Sequence, residues 1–322
     1  MESGWGTIER RYWPTRWMNI TVSAHRAMPR VGIKGALWGS SEAEKGKPPS
    51  DVQQERSETR EIATGFTPQP LERPLAIMSD LHANLEALEA VRQDLCHRGI
   101  EDVVCLGDIV NYGPDPEACI DIVMSLCRFT LMGNHEDAVL TEAVNFNEAA
   151  TISVDWTRRK LARGAPNRWK FIEALPLQHV EGTNYFVHAS PREPLVEYIL
   201  PPEMHFLRSA GLKAIEANLE MVSGVCFVGH THLPGVILAD GTYLHPSEIG
   251  GPFVIDGSRK LIVNVGSVGQ PRDQDPRACY VIYDGITVEY RRVSYDVERT
   301  MRKILQSDGL PAVNAYRLER GE

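Results

Sequence analysis

"IMSDLHANLEAL", residues 77–88, is an apolar run that ends in Asp80 and His82 and passes into a helical pattern. A carboxylate and an imidazole at the buried mouth of a strand are costly unless something uses them. Side chains two apart on a strand point the same way, so Asp80 and His82 address one point. The arrangement recurs along the chain. "DVVCLGD" ends in Asp108 and "FTLMGN" in Asn134, with His135 next. "FVHAS" presents His188, and "FVGHTH" presents His230 and His232. Between the first strands, "NLEALEAVRQDLCHRG" reads as a helix with Leu85, Leu88, Val91 and Leu95 on one face. Asn84 is its N-cap and Gly99 its stop. "DPEACIDIVMSLC" reads as a second helix, and the alternation predicts an α/β fold with parallel pairing. In a parallel sheet these strand ends share one edge, where open α/β sheets place their ligands. Gly107, Gly133 and Gly229 each precede a candidate and are expected to permit the sharp turn out of the strand.

The rest of the chain is read more coarsely. Residues 147–175 form a helical block. Strands follow at "PFVIDG", "KLIVNVGS", "ACYVIYDG" and "ITVEYRRVSYD". A last helix, "DVERTMRKILQSDG", precedes a loose C-terminus. Residues 1–73 stand apart. They carry eleven Lys/Arg against nine Asp/Glu, a net of +2, so the remainder holds −11 of the total −9. The polar stretch "SSEAEKGKPPSDVQQERSETRE" has the composition of a linker. Residues 1–73 are read as a disordered extension, an Arg-containing arm or a start assigned too far upstream, and 74–322 as the domain.

An apolar content of 43% with 24% charged residues is that of an ordinary globular chain, and an acidic balance excludes a grip on long nucleic acid. No apolar run reaches the ~20 residues of a membrane span. Six cysteines without a C-x-x-C pair read as reduced thiols, which places the chain in the cytoplasm.

Asp80, His82, Asp108, Asn134, His188, His230 and His232 form an N/O donor set without thiolate. That set suits Mn, Fe, Zn, Co or Ni, with Mn favoured, rather than a structural zinc site. Seven donors exceed the needs of one ion and match two divalent ions ~3.5–4 Å apart, with Asp108 the natural shared carboxylate.

The motifs D-x-H (Asp80–His82), G-D (Gly107–Asp108), G-N-H-E (Gly133–Glu136), a lone His188 and G-H-x-H (Gly229–His232) resemble those of the calcineurin-like metallophosphoesterase superfamily. The resemblance spans roughly residues 74–295. It implies a four-layer αββα sandwich, two mixed β-sheets flanked by helices, with the metal site at the C-terminal edge of the strands. By that resemblance Asp80, His82 and His232 hold one metal, Asn134, His188 and His230 a second, and Asp108 bridges them. A metal-bridging hydroxide then attacks phosphorus. His135 lies outside the metal shell and stabilises charge or protonates the leaving oxygen, oriented by Glu136 or Asp137. Asn134 also contacts substrate. In "NVGSVGQPRD", residues 264–273, Ser267 and Arg272 with the loop amides bind phosphate, or the loop only supports the metal edge.

One departure sets the branch. The superfamily's protein Ser/Thr phosphatases place Asp-Arg-Gly where this chain has Asn111-Tyr112-Gly113. The chain therefore looks closer to the bacterial and archaeal phosphodiesterase-like members. The implied activity is hydrolysis of phosphate diesters, or monoesters, of a small phosphorylated substrate. The rivals are a Ser/Thr phosphatase-like monoesterase and a non-catalytic metal-binding scaffold on the same fold.

Overall fold

The computed structural model describes residues 65–322. In chain order they form β1 (Leu75–Met78), α1 (Leu85–Arg98), β2 (Asp102–Cys105), α2 (Pro116–Leu126), β3 (Phe129–Thr130), α3 (Asn134–Leu140), α4 (Glu148–Ala162), α5 (Pro166–Glu173), β4 (Gln178–Glu181) and β5 (Asn184–Val187). After a 3₁₀ turn come α6 (Arg208–Glu220), β6 (Val225–Val228), β7 (Gly235–Leu238), β8 (Tyr243–Leu244), α7 (Pro246–Ile249), β9 (Phe253–Val254), β10 (Leu261–Asn264), β11 (Ala278–Tyr283), β12 (Thr287–Val293), α8 (Val297–Gln306) and α9 (Val313–Arg320).

Two six-stranded sheets run β3-β2-β1-β11-β12-β9 and β4-β5-β6-β10-β7-β8. Both are mixed. β1 is parallel to β2 and antiparallel to β11; β6 is parallel to β5 and β10, while β10 is antiparallel to β7. The pairing expected from the strand–helix alternation thus holds only for the strands that carry site residues. The hairpin-connected β11 and β12 return antiparallel beside them.

The period of two within β1 explains the layering. Leu75 and Ile77 face a core between the sheets, shared with Val104, Phe186, Phe227, Val263 and Val281. Ala76 and Met78 face the opposite way, onto Leu88, Val91 and Leu95 of α1 and Ile120 and Val123 of α2. Ile215 and Leu219 of α6 cover the outer face of the second sheet. Each buried Leu, Ile or Phe stabilises this four-layer sandwich by roughly 1.5–3 kcal/mol. The α1 punctuation is as the sequence predicts: the Ala87 N–H donates to Asn84 Oδ1 at 3.2 Å, and Gly99 closes the helix at φ 67°.

Two sequence expectations change. The C-terminus is not loose: α9 packs on α8, with Ala315 and Leu318 buried against Ile304 and Leu310. Asn314 anchors it, donating to the Tyr112 carbonyl at 3.1 Å and to Ser153 Oγ at 2.9 Å. Apolar residues that recur only twice in so short a helix leave little period to read. The extension read over 1–73 lies outside the described residues up to 64. Residues 65–73 lie along the sandwich, with the Phe66 N–H bonded to the Gly257 carbonyl at 2.9 Å and Leu71 N–H to Asp284 at 2.7 Å.

Candidate metal centre

Parallel strands bring their C-terminal ends to one edge, and the loops there hold an unusual backbone. Asp80, His82, Asp108, His230 and His232 all have left-handed φ, between 47° and 63°. Non-glycine residues rarely adopt this region, and such strain persists where the surroundings impose it. These residues lie in loops two to four residues past their strands, so this backbone, and not the strand period of two expected for Asp80 and His82, aims the side chains. Of the three preceding glycines, only Gly107 needs conformational freedom, at φ 109°. Gly133 and Gly229 are required by close approach instead. A Cβ at Gly133 would stand 2.1 Å from Asp108 Oδ1, and one at Gly229 2.5 Å from Asp80 Oδ2. The turn expected at those two positions is corrected accordingly.

The side chains converge in two buried groups that share Asp108. Asp80, His82, Asp108 and His232 place one donor atom each within 4.8 Å of one another, and Asp108, His188 and His230 do the same. His232 Nε2 is 3.2 Å from Asp80 Oδ1, and His188 Nε2 is 3.2 Å from Asp108 Oδ2. Asn134, at the start of α3, points its Oδ1 at His188 Nε2, 3.1 Å away. All seven residues read as ligands from the sequence therefore meet.

The tautomers show that the cluster is built for cations. His82 Nδ1 faces the Val110 carbonyl at 3.2 Å, His188 Nδ1 the Leu106 carbonyl at 3.1 Å and His232 Nδ1 the Gln270 carbonyl at 2.5 Å. Carbonyls only accept, so each Nδ1 carries a proton; His82 and His232, whose charged forms burial disfavours, present a bare Nε2 inward. His82 Nε2 and His232 Nε2 then lie 3.1 Å apart as two lone pairs, and the buried Asp80 Oδ1 and His230 Nε2 have no hydrogen-bond partner. Opposed acceptors at these distances are satisfied by divalent cations, and the donor chemistry fits them.

The electrostatics agree. Burial holds His230 down to about 3 and His135 down to about 4. Burial also sets His82 and His232 well below the ordinary imidazole value. Burial pushes the Asp108 carboxyl up, but the His188 and His135 charges overcome it and keep Asp108 well below the carboxylate range. His188 rises to about 9, because the Asp108 carboxylate outweighs burial there. Asp108 thus demands positive charge beside it.

His135 lies outside both groups, its Nε2 3.8 Å from Asp108 Oδ2. The expectation that Glu136 or Asp137 orients it is not met. Glu136 is fully buried, and its carboxylate accepts the N–H groups of Asp108 at 2.7 Å, Ile109 at 2.8 Å, Val110 at 3.0 Å and Gly133 at 3.0 Å. It clamps the Asp108 loop onto α3. Asn111 takes the orienting place, with its amide 2.5 Å from His135 Nδ1. Asn111 stands where the protein phosphatases have aspartate, and that motif position is the signal by which it was findable.

The two side chains singled out in the glycine-rich loop differ in their contacts. Ser267 is buried and donates to the Asp80 carbonyl at 2.8 Å, so it supports the metal edge. Arg272 reaches Gln270 Oε1 at 2.9 Å and leaves its Nε without a partner. Two rings that sequence reasoning did not place wall the edge. Tyr112 lies 4.8 Å, centroid to centroid, from both His82 and His135, and Tyr198 lies 4.1 Å from His230.

Comparison with known proteins agrees with this geometry. A family model described as the calcineurin-like phosphoesterase superfamily domain matches residues 74–286. An uncharacterized protein of Methanocaldococcus jannaschii is 35% identical over 242 residues, covering 72% of this chain and 92% of that one. The crystal structure of a metallophosphoesterase from Sphaerobacter thermophilus superposes with a TM-score of 0.65 at 34% identity, covering 78% of this chain and 99% of that chain. A hypothetical protein from Pyrococcus horikoshii shares the fold, with a TM-score of 0.59 at 18% identity over 77% of this chain and 98% of that one. With the motifs converging as they do and the family model spanning most of the domain, this chain belongs to the calcineurin-like phosphoesterase superfamily.

Proposed function

We propose that the chain is a two-metal phosphoesterase that hydrolyses small phosphate esters, diesters ahead of monoesters. One observation carries the reading: two donor groups share the single carboxylate of Asp108. When bound, two divalent ions supply Lewis acidity and an ionised nucleophile at neutral pH. Asp80, His82 and His232 would hold one, Asn134, His188 and His230 the other. Mn²⁺ is the proposed metal.

His135 presents its Nε2 toward the same space with its Nδ1 against Asn111. The Asn111 amide nitrogen also faces the Ala150 carbonyl, at 3.4 Å, which turns the N–H side of the amide toward His135. Nδ1 is then the acceptor and Nε2 carries the proton, ready for the leaving oxygen. Asn134 and Arg272 would position the substrate's phosphoryl oxygens. With Asn111-Tyr112 in place of the protein phosphatases' Asp-Arg, the site is read as serving a diester. The Sphaerobacter relative, titled a metallophosphoesterase, supports the activity class. The free cysteines, four of them buried, fit a cytoplasmic setting, and no helix among the described residues is long and apolar enough to cross a membrane.

The test is the hydrolysis rate of bis(nitrophenyl) phosphate against nitrophenyl phosphate with Mn²⁺-saturated protein, alongside metal content. Two ions per chain and faster diester turnover are expected. Two ions bound with no turnover of either ester would turn the reading into a non-catalytic scaffold.

A further inference from the structure

Tyr198 stands in the loop between β5 and α6, ten residues after His188, and differs from both of its neighbours in the chain. Ile199 is buried under α6 with Ile215 and Leu219. Glu197 accepts from Ser190 Oγ at 2.5 Å and from Asn218 Nδ2 at 3.0 Å, and pairs with Arg192. The backbone on either side of Tyr198 is therefore pinned. Tyr198 itself is 41% exposed and packs in none of the hydrophobic cores. Its ring lies over that of His230, 4.1 Å away and tilted by 32°, while His230 is only 4% exposed.

An aromatic ring fixed at a metal edge with much of its surface in water gains when a flat apolar group covers it. The pinned loop means that little freedom is lost on stacking, so most of that gain goes into binding. Position on the edge says which part of a substrate the ring meets. Among the described residues, the rings against His135 are His82, Tyr112 and Phe146, whereas those against His230 are His188 and Tyr198. His135 meets the leaving oxygen in the reading above. Tyr198 borders the other donor group, away from His135 and beside the substituent that stays on phosphorus.

We propose that Tyr198 is a stacking platform for the retained arm of the ester, and that this chain selects diesters whose retained arm carries a planar aromatic ring. The platform rests on the diester reading above and supplies the substrate class that reading leaves open. It also gives the β5–α6 loop, which carries no metal-ligand candidate beyond His188, a part in specificity.

The experiment compares methyl nitrophenyl phosphate with phenyl nitrophenyl phosphate on the full Mn²⁺-loaded chain, as wild type, Tyr198→Leu and Tyr198→Phe. Both esters release nitrophenolate, so only the retained arm differs. Tyr198→Leu keeps an apolar cover over His230 and removes the flat ring. Its loss in kcat/KM should be about tenfold larger on the phenyl ester than on the methyl ester, the scale of one stacked ring. The difference should appear in KM, with metal content unchanged, and Tyr198→Phe should stay near wild type on both. Equal losses on the two esters, as a ring that only shields His230 would give, or no loss, would overturn the platform. Calorimetric binding of phenylphosphonate and methylphosphonate separates this outcome from failure of the phosphoesterase reading. With neither ester turned over, a phenylphosphonate Kd about tenfold weaker in Tyr198→Leu, beside an unchanged methylphosphonate Kd, still upholds the platform. Kd values that shift together, or not at all, reject it.

Discussion

Where β1, β2 and β5 begin, Arg128 pairs with Asp102 at 3.0 Å and with Glu181 at 2.9 Å, and His179 joins Glu181 at 2.9 Å. These side chains are roughly a third or more exposed to water, and each charge meets its opposite. Where the same strands end, Asp80 and Asp108 are essentially inaccessible; Asp80 faces a His232 nitrogen that presents a lone pair, and Asp108 faces His188. Residue types are similar at the two edges; solvent and proton placement differ. Surface pairs of the first kind contribute roughly 0–1 kcal/mol. Carboxylates buried among imidazoles call for positive charge beside them, so the second edge is where chemistry is expected.

The sharpest break in this contrast comes from removing one charge at the buried edge. Asp108→Asn should lower turnover on the order of a thousandfold and reduce metal content, because both donor groups lose their shared ligand. Wild-type rate at saturating Mn²⁺ would remove Asp108 from its bridging place. His135→Ala should lose about a hundredfold or more in kcat with both metals retained; metal loss there would move His135 into the ligand set.

Glu136→Gln tests the clamp beneath the site. A Gln amide must turn N–H groups toward backbone N–H donors at two of the four contacts. The variant should lose about 2–3 kcal/mol of stability by urea titration. An unchanged midpoint would mean that the Asp108 loop holds itself.

The smallest effect belongs to the exposed edge. Arg128→Met should cost less than about 1 kcal/mol, and nothing measurable in 1 M salt. Burial, the largest single influence, raises the Glu181 carboxyl, but His179 and Arg128 together outweigh it and lower the net value below 4.5. The contribution of this pair is therefore fully present above pH 4.5 and is lost as pH falls through the lower folded value. A wild-type minus Arg128→Met stability difference that grew on acidification would contradict this sign.

Much of the site was legible because its signal is local. Each candidate ligand follows an apolar strand by one to four residues, and a glycine stands just before Asp108, Asn134 and His230. Chain order alone thus named Asp80, His82, Asp108, Asn134, His188, His230 and His232 as one set. The helix caps Asn84 and Gly99 were legible for the same reason. What escaped was non-local. Glu136 bonds to a loop 26 to 28 residues upstream rather than to its neighbour His135, and Asn111 takes the orienting contact across 24 residues. Arg317 reaches Tyr112 across most of the domain, from a helix too short to show a period.

The sequence by itself determined the donor types, their order on strand ends and hence the chemistry open to the chain. Side-chain identity and the position of each donor just after an apolar run are enough for that. Only the tertiary structure decided which nitrogen of each histidine faces inward, since that follows from carbonyls brought up by other loops. It also decided that Glu136 clamps the Asp108 loop and does not orient His135, since that contact joins segments 26 to 28 residues apart in the chain.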